Sequence, residues 1–97
     1  MKIKPFFLIL TLISSLSAFA YDFSAVNDDG IAIYYNITSK TEPYTAAVAY
    51  YSYSGDVNIP ESVTYSGKSY SVTKIADSAF SGCSKLTSIT IPESIVS

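Results

Sequence analysis

Two stretches of this chain are near copies of one another, and their spacing restricts the fold more than any other feature. Val57-Asn58-Ile59-Pro60-Glu61-Ser62-Val63 recurs as Ile89-Thr90-Ile91-Pro92-Glu93-Ser94-Ile95, 32 positions later. Four consecutive residues, Ile-Pro-Glu-Ser, are identical, and both ends change conservatively. Self-similarity at a fixed period of this size marks a solenoid, in which each unit buries its apolar side chains only against a neighbouring unit.

The residues leading into the second copy describe one such unit. Ile89 and Ile91 flank Thr90, so alternation puts both on one face of a short strand. Pro92 has no amide hydrogen and ends that strand. Asp77 and Ser78 suit a helix start, because their side-chain oxygens accept free amides. Ala79 and Phe80 then open a helical turn. Phe80, Cys83 and Leu86 follow at steps of three, the spacing at which side chains eclipse in a 3₁₀ turn. Ser81 and Gly82 fall on its outer side. One edge of the unit is thus a strand and the other a short helical turn. Ile75, Ala79, Phe80, Cys83, Leu86, Ile89, Ile91 and Pro92 form the repeat core between them.

The first twenty residues read as an export signal. Lys2 and Lys4 form a basic start, Phe6 to Leu16 an apolar stretch, and Ala18-Phe19-Ala20 a small-x-small cleavage site. The apolar run is well short of the roughly 20 residues that a spanning helix needs. Cleavage after Ala20 leaves Tyr21–Ser97, with Lys40, Lys68, Lys74 and Lys85 against eight acids. A weakly acidic chain without Arg is a poor match for phosphate backbones or for anionic lipid. There is no His and one Cys, which excludes imidazole catalysis, His-metal sites and an internal disulfide. Asp28-Asp29 lacks the further ligands of a Ca²⁺ loop. Gly30, Gly55, Gly67 and Gly82 are isolated and make no phosphate cradle. Catalytic residues, cofactors and metals are therefore expected to be absent.

The remainder predicts strands. Tyr21–Val26 alternates by two, and Asn27-Asp28-Asp29-Gly30 is a turn. Ile31–Ile37 is rich in β-branched and aromatic residues. Ser39–Pro43 is a loop, Tyr44–Tyr53 a third strand, and Ser54-Gly55-Asp56 a turn. Val63–Tyr65 and Tyr70–Thr73 flank Ser66–Ser69 as a hairpin, with Tyr65 and Tyr70 expected to face each other across it. The sequence holds 9 tyrosines. Tyrosine suits a half-buried strand with its hydroxyl in water, and a sugar-binding aromatic platform is the functional alternative. Of Tyr50 and Tyr51, one is expected to be exposed.

Leu86-Thr87-Ser88-Ile89-Thr90-Ile91-Pro92, together with Ala79-Phe80-x-x-Cys83, resembles the BspA-like leucine-rich repeat of exported bacterial surface proteins. Ala76 stands where that family usually has Gly. The offset of 32 exceeds the family unit of about 23 residues, and the surplus lies at the hairpin near Thr64–Val72. Tyr21–Val26 with Asn27–Ile31 resembles the lead-in of such proteins. The resemblance implies a mainly β protein: a signal peptide (1–20), an N-terminal β lead-in or cap (21–56), and the start of a leucine-rich repeat solenoid with an inserted hairpin (57–97). It further implies a non-catalytic adhesion module at the cell surface, binding protein or glycan on host or neighbouring cells. Thr87 and Thr90 would lie on its concave interaction face. A solenoid needs at least about three units to bury its core, so the chain reads as the leading fragment of a longer protein. The rival expectations are the non-catalytic first module of a secreted hydrolase and a small tyrosine-rich glycan-binding domain.

Overall fold

In a computed structural model, which describes residues 21–97, seven strands follow one another. They are β1 (Phe23–Val26), β2 (Ala32–Ser39), β3 (Thr45–Val48), β4 (Gly55–Asn58), β5 (Ser62–Tyr65), β6 (Lys68–Ile75) and β7 (Leu86–Thr90). Five form one sheet in the order β1-β2-β3-β6-β5, and β4 and β7 pair in a second. The expected signal segment, with its site at Ala20, lies outside the described residues.

The lead-in is a meander. The Asn27 side-chain oxygen accepts the amides of Asp29 and Ile31, each at 2.9 Å, and so closes the turn between β1 and β2. Pairing is antiparallel with Phe23 beside Tyr35, and β2 then pairs antiparallel with β3. Alternation sends Phe23, Ile33 and Tyr35 inward, where they join Ala46, Val48, Val57, Ile59, Tyr70 and Val72 in one core.

Beyond β3 the chain winds. β6 lies parallel to β3, with Ala46 beside Val72, and β7 lies parallel to β4, with Val57 beside Ile89. Parallel neighbours require a crossover, and here the two crossovers overlap in sequence, β4 and β5 lying within the first and β5 and β6 within the second. The register of β4 on β7 is the 32-residue offset of the sequence repeat, now seen as two segments side by side. The last residues come back to β6 on the side facing away from β3: the Val96 amide donates to the Thr73 carbonyl at 2.9 Å and the Ile75 amide to the Ser97 carbonyl at 3.2 Å.

Several expectations need correcting. The short helical turn at Ala79–Leu86 is not formed. Separate i→i+3 bonds run from Ala79 to Ala76, Ser81 to Ser78, Cys83 to Phe80 and Leu86 to Cys83. Ser78 (φ 61) and Gly82 (φ 73) lie in the left-handed region, so the turns cannot merge into a helix. The third strand covers only Thr45–Val48, and the chain leaves the sheet before Tyr50. Both Tyr50 and Tyr51 are therefore exposed, since strand alternation no longer applies. Gly55 and Asp56 begin β4 instead of forming a turn. In the hairpin, Tyr65 lies opposite Lys68 and Tyr70 opposite Val63. The loop is only Ser66-Gly67, both at positive φ (55 and 78), the mirror-type turn that matches strand twist. Tyr65 and Tyr70 meet Phe23 instead of each other, with ring centroids 4.2 and 5.8 Å away.

Candidate protein-interaction face

The β4–β7 pair presents one apolar and one polar side. Val57 and Ile59 are buried and Ile89 packs on the same core. Asp56, Asn58, Ser88 and Thr90 are exposed. The parallel register places Asp56 beside Ser88 and Asn58 beside Thr90, so the four form a two-by-two polar array.

A register shift shapes this array. Gly55 pairs with Leu86 but Asp56 with Ser88, which leaves Thr87 as an extra residue in β7. Such a bulge re-aims a side chain. Thr87 and Ser88 consequently reach the same oxygen, Asp56 Oδ1, their hydroxyls donating at 2.5 and 2.9 Å. Bonds to the charged form favour it. The Thr87 bond first, and the Ser88 bond second, hold the Asp56 carboxyl below its ordinary value. At the next position, Asn58 Nδ2 donates to Asp29 Oδ2 at 2.6 Å, and Asn27 Nδ2 donates to the Asn58 carbonyl at 2.9 Å. The β1–β2 turn is thereby tied to the end of β4 and brings a second carboxylate to the array.

Thr87 and Thr90, the residues expected on an interaction face, are both exposed on β7, Thr87 at the bulge and Thr90 beside Asn58. Asp56, Asn58 and Ser88 belong with them and were not singled out from the sequence. The signal was present: Asn58 alternates with Val57 and Ile59 within the first copy, and Asp56 and Ser88 immediately precede Val57 and Ile89 at the start of each copy. Of the expected repeat core, Ala79 is buried, while Ile75, Phe80, Cys83, Leu86 and Ile89 are half-buried against the main core. Pro92 is half-buried. Ile91 departs from expectation at 54% exposed: its counterpart Ile59 belongs to the core cluster and Ile91 does not.

The Cys83 thiol is free and donates to the Tyr51 carbonyl at 3.2 Å. Most tyrosines are engaged within the protein. Tyr34 stacks on Tyr51 at 3.7 Å, and Tyr35, Tyr53 and Tyr70 are buried. Among the described residues, no group of three His, Cys, Asp or Glu could hold a metal ion. None of their helices is long and apolar enough to cross a membrane. The array's chemistry is that of hydrogen-bond donors and acceptors held in register, with two carboxylates.

No family model matches the chain, and no curated protein does. A leucine-rich repeat protein from Bacteroides ovatus ATCC 8483 is similar in structure, with a TM-score of 0.57 and 34% identity over 77% of this chain. The match covers 18% of that protein's chain. The present chain is thus mainly β and leucine-rich-repeat-like over most of its described length.

Proposed function

We propose that this protein is an exported, non-catalytic interaction module of the BspA-like kind, which adheres to a protein partner at the cell surface through the polar side of β4 and β7. One observation carries the reading: the in-register parallel pairing that lines up Asp56, Asn58, Ser88 and Thr90 with Thr87 on an exposed strand face. Likeness to a leucine-rich repeat protein supports it, as does the signal-like sequence pattern of residues 1–20: a basic start, an apolar stretch and Ala18-Phe19-Ala20. Recognition rests on shape and many weak polar contacts, and no covalent step is involved.

The test is adhesion of the fluorescently labelled protein to cultured bacterial and epithelial cells. Thr87→Glu with Thr90→Glu adds one charge beside Asp56 and another beside Asn58 and is expected to abolish saturable adhesion. A Tyr50→Ala control, away from this face, is expected to leave it intact. Adhesion unchanged by the paired threonine substitutions would overturn the assignment of the face.

A further inference from the structure

A second feature adjoins the β4–β7 array at Asp29 and Asn58, where the five-stranded sheet curls until its two edge strands face each other. Phe23 of β1 stacks on Tyr65 of β5, with centroids 4.2 Å apart and planes within 7°. This closes one end of the gap. Towards the other end the edges part around a cleft of about 540 Å³, with Ala25 and Val26 on one wall and Ser62, Val63 and Thr64 on the other. Asp28 and Asp29 stand at its rim, with Asn58 beside them.

Both walls carry backbone groups that the sheet does not use. The Val72 amide donates to the Glu61 carbonyl, so Glu61, Val63 and Tyr65 face β6. By the alternation of antiparallel ladders, the amides and carbonyls of Ser62 and Thr64 point into the gap. On β1 the Asn27 amide donates to Ile31, so the peptide groups of Val26 point outward in the same way. Unpaired strand edges are templates for another strand. These edges flank a cleft and sit beneath two carboxylates.

We propose that this cleft binds an extended peptide segment of a partner protein, which adds as a strand to β5 and sets a Lys or Arg against Asp28 and Asp29. Strand addition takes its affinity from main-chain bonds and its selectivity from alternate side chains. At about 3.3 Å per residue, the four residues of β5 match a segment of about four. The acidic rim selects against acidic segments. The cleft shares Asp29 and Asn58 with the end of the β4–β7 array, but its walls are β1 and β5 and its test reads peptide binding at those walls, which does not depend on adhesion.

The probe is the blocked peptide acetyl-Lys-Thr-Val-Thr-Val-Lys-amide, titrated into the ¹⁵N-labelled protein. Amide shifts are expected at Ser62, Thr64 and Val26 and not along β7. A peptide N-methylated at alternate residues is expected not to bind. A Glu-for-Lys peptide, or the protein with Asp28→Asn and Asp29→Asn, is expected to bind roughly fivefold more weakly. Thr64→Pro removes only an amide that β6 does not use and is expected to abolish the shifts. The proposal is overturned by an unmoved spectrum, by equal binding of the N-methylated peptide, or by shifts confined to β7. Concentration-dependent shifts at β5 without peptide would also overturn it, assigning the edge to a second copy of this chain.

Discussion

Asp56 is the residue whose chemistry is most altered by the fold. Its carboxylate is fully exposed, so its depressed value comes from the two hydroxyls and not from burial. A group with a lowered folded value contributes stability above its unfolded value, near 3.8, and loses it as pH falls through the folded one. Thr87→Val is therefore expected to raise the Asp56 titration midpoint, read from its side-chain carbon shift, with Ser88→Ala raising it less. An unmoved midpoint in both would show that neither bond persists in solution. Tyr53 is a contrasting case. It is buried, its hydroxyl donates to the Ala49 carbonyl at 2.7 Å, and burial pushes it up to about 12. That oxygen also accepts the Tyr34 amide at 3.2 Å. Tyr53→Phe leaves the Ala49 carbonyl and Tyr34 amide unpaired and is expected to cost about 1–3 kcal/mol in denaturant unfolding.

At the scale of elements, the hairpin turn between β5 and β6 makes the sharpest demand on sequence. Gly67 sits at φ 78 with open space around it, so Gly67→Ala meets no clash and only a backbone penalty. The expected loss is about 1–2 kcal/mol, measured by chemical denaturation. Strands set by local chemistry were legible beforehand: the Asn27–Gly30 turn, the alternation of β2, and the β5–β6 hairpin. The pairing of β4 on β7 was legible too, because the repeat carries its own register. The pairing of β3 on β6 was not, since Thr45-Ala46-Ala47-Val48 and Ser71–Ile75 share no motif that announces it. The broken turn at Ala79–Leu86 escaped because a step of three fits both a 3₁₀ helix and a string of separate turns. The left-handed backbone at Ser78 and Gly82 distinguishes them. Asp56 and Ser88 escaped as site residues because the bulge at Thr87, which joins them, exists only once the strands are paired.

Across the whole molecule, equivalent positions of the two copies differ in burial in a consistent direction. Ile59 is 4% exposed and its counterpart Ile91 54%. Val57 is buried, whereas Ile89 is half-buried. The first copy lies in the core and the second at its margin, the asymmetry that stacking along one axis would produce. Ile59→Ala is expected to destabilise by about 2–4 kcal/mol, and Ile91→Ala by less than about 0.5 kcal/mol, in paired unfolding experiments. Equal losses would mean that the two copies are not successive layers of one stack. The most direct check is scalar coupling across the hydrogen bonds of β4 and β7. Couplings are expected from the Ile59 amide to the Thr90 carbonyl and from the Gly55 amide to the Lys85 carbonyl, bonds of 3.0 and 2.9 Å. Their absence, or coupling of these amides to any other carbonyl, would contradict the side-by-side repeat on which the account rests.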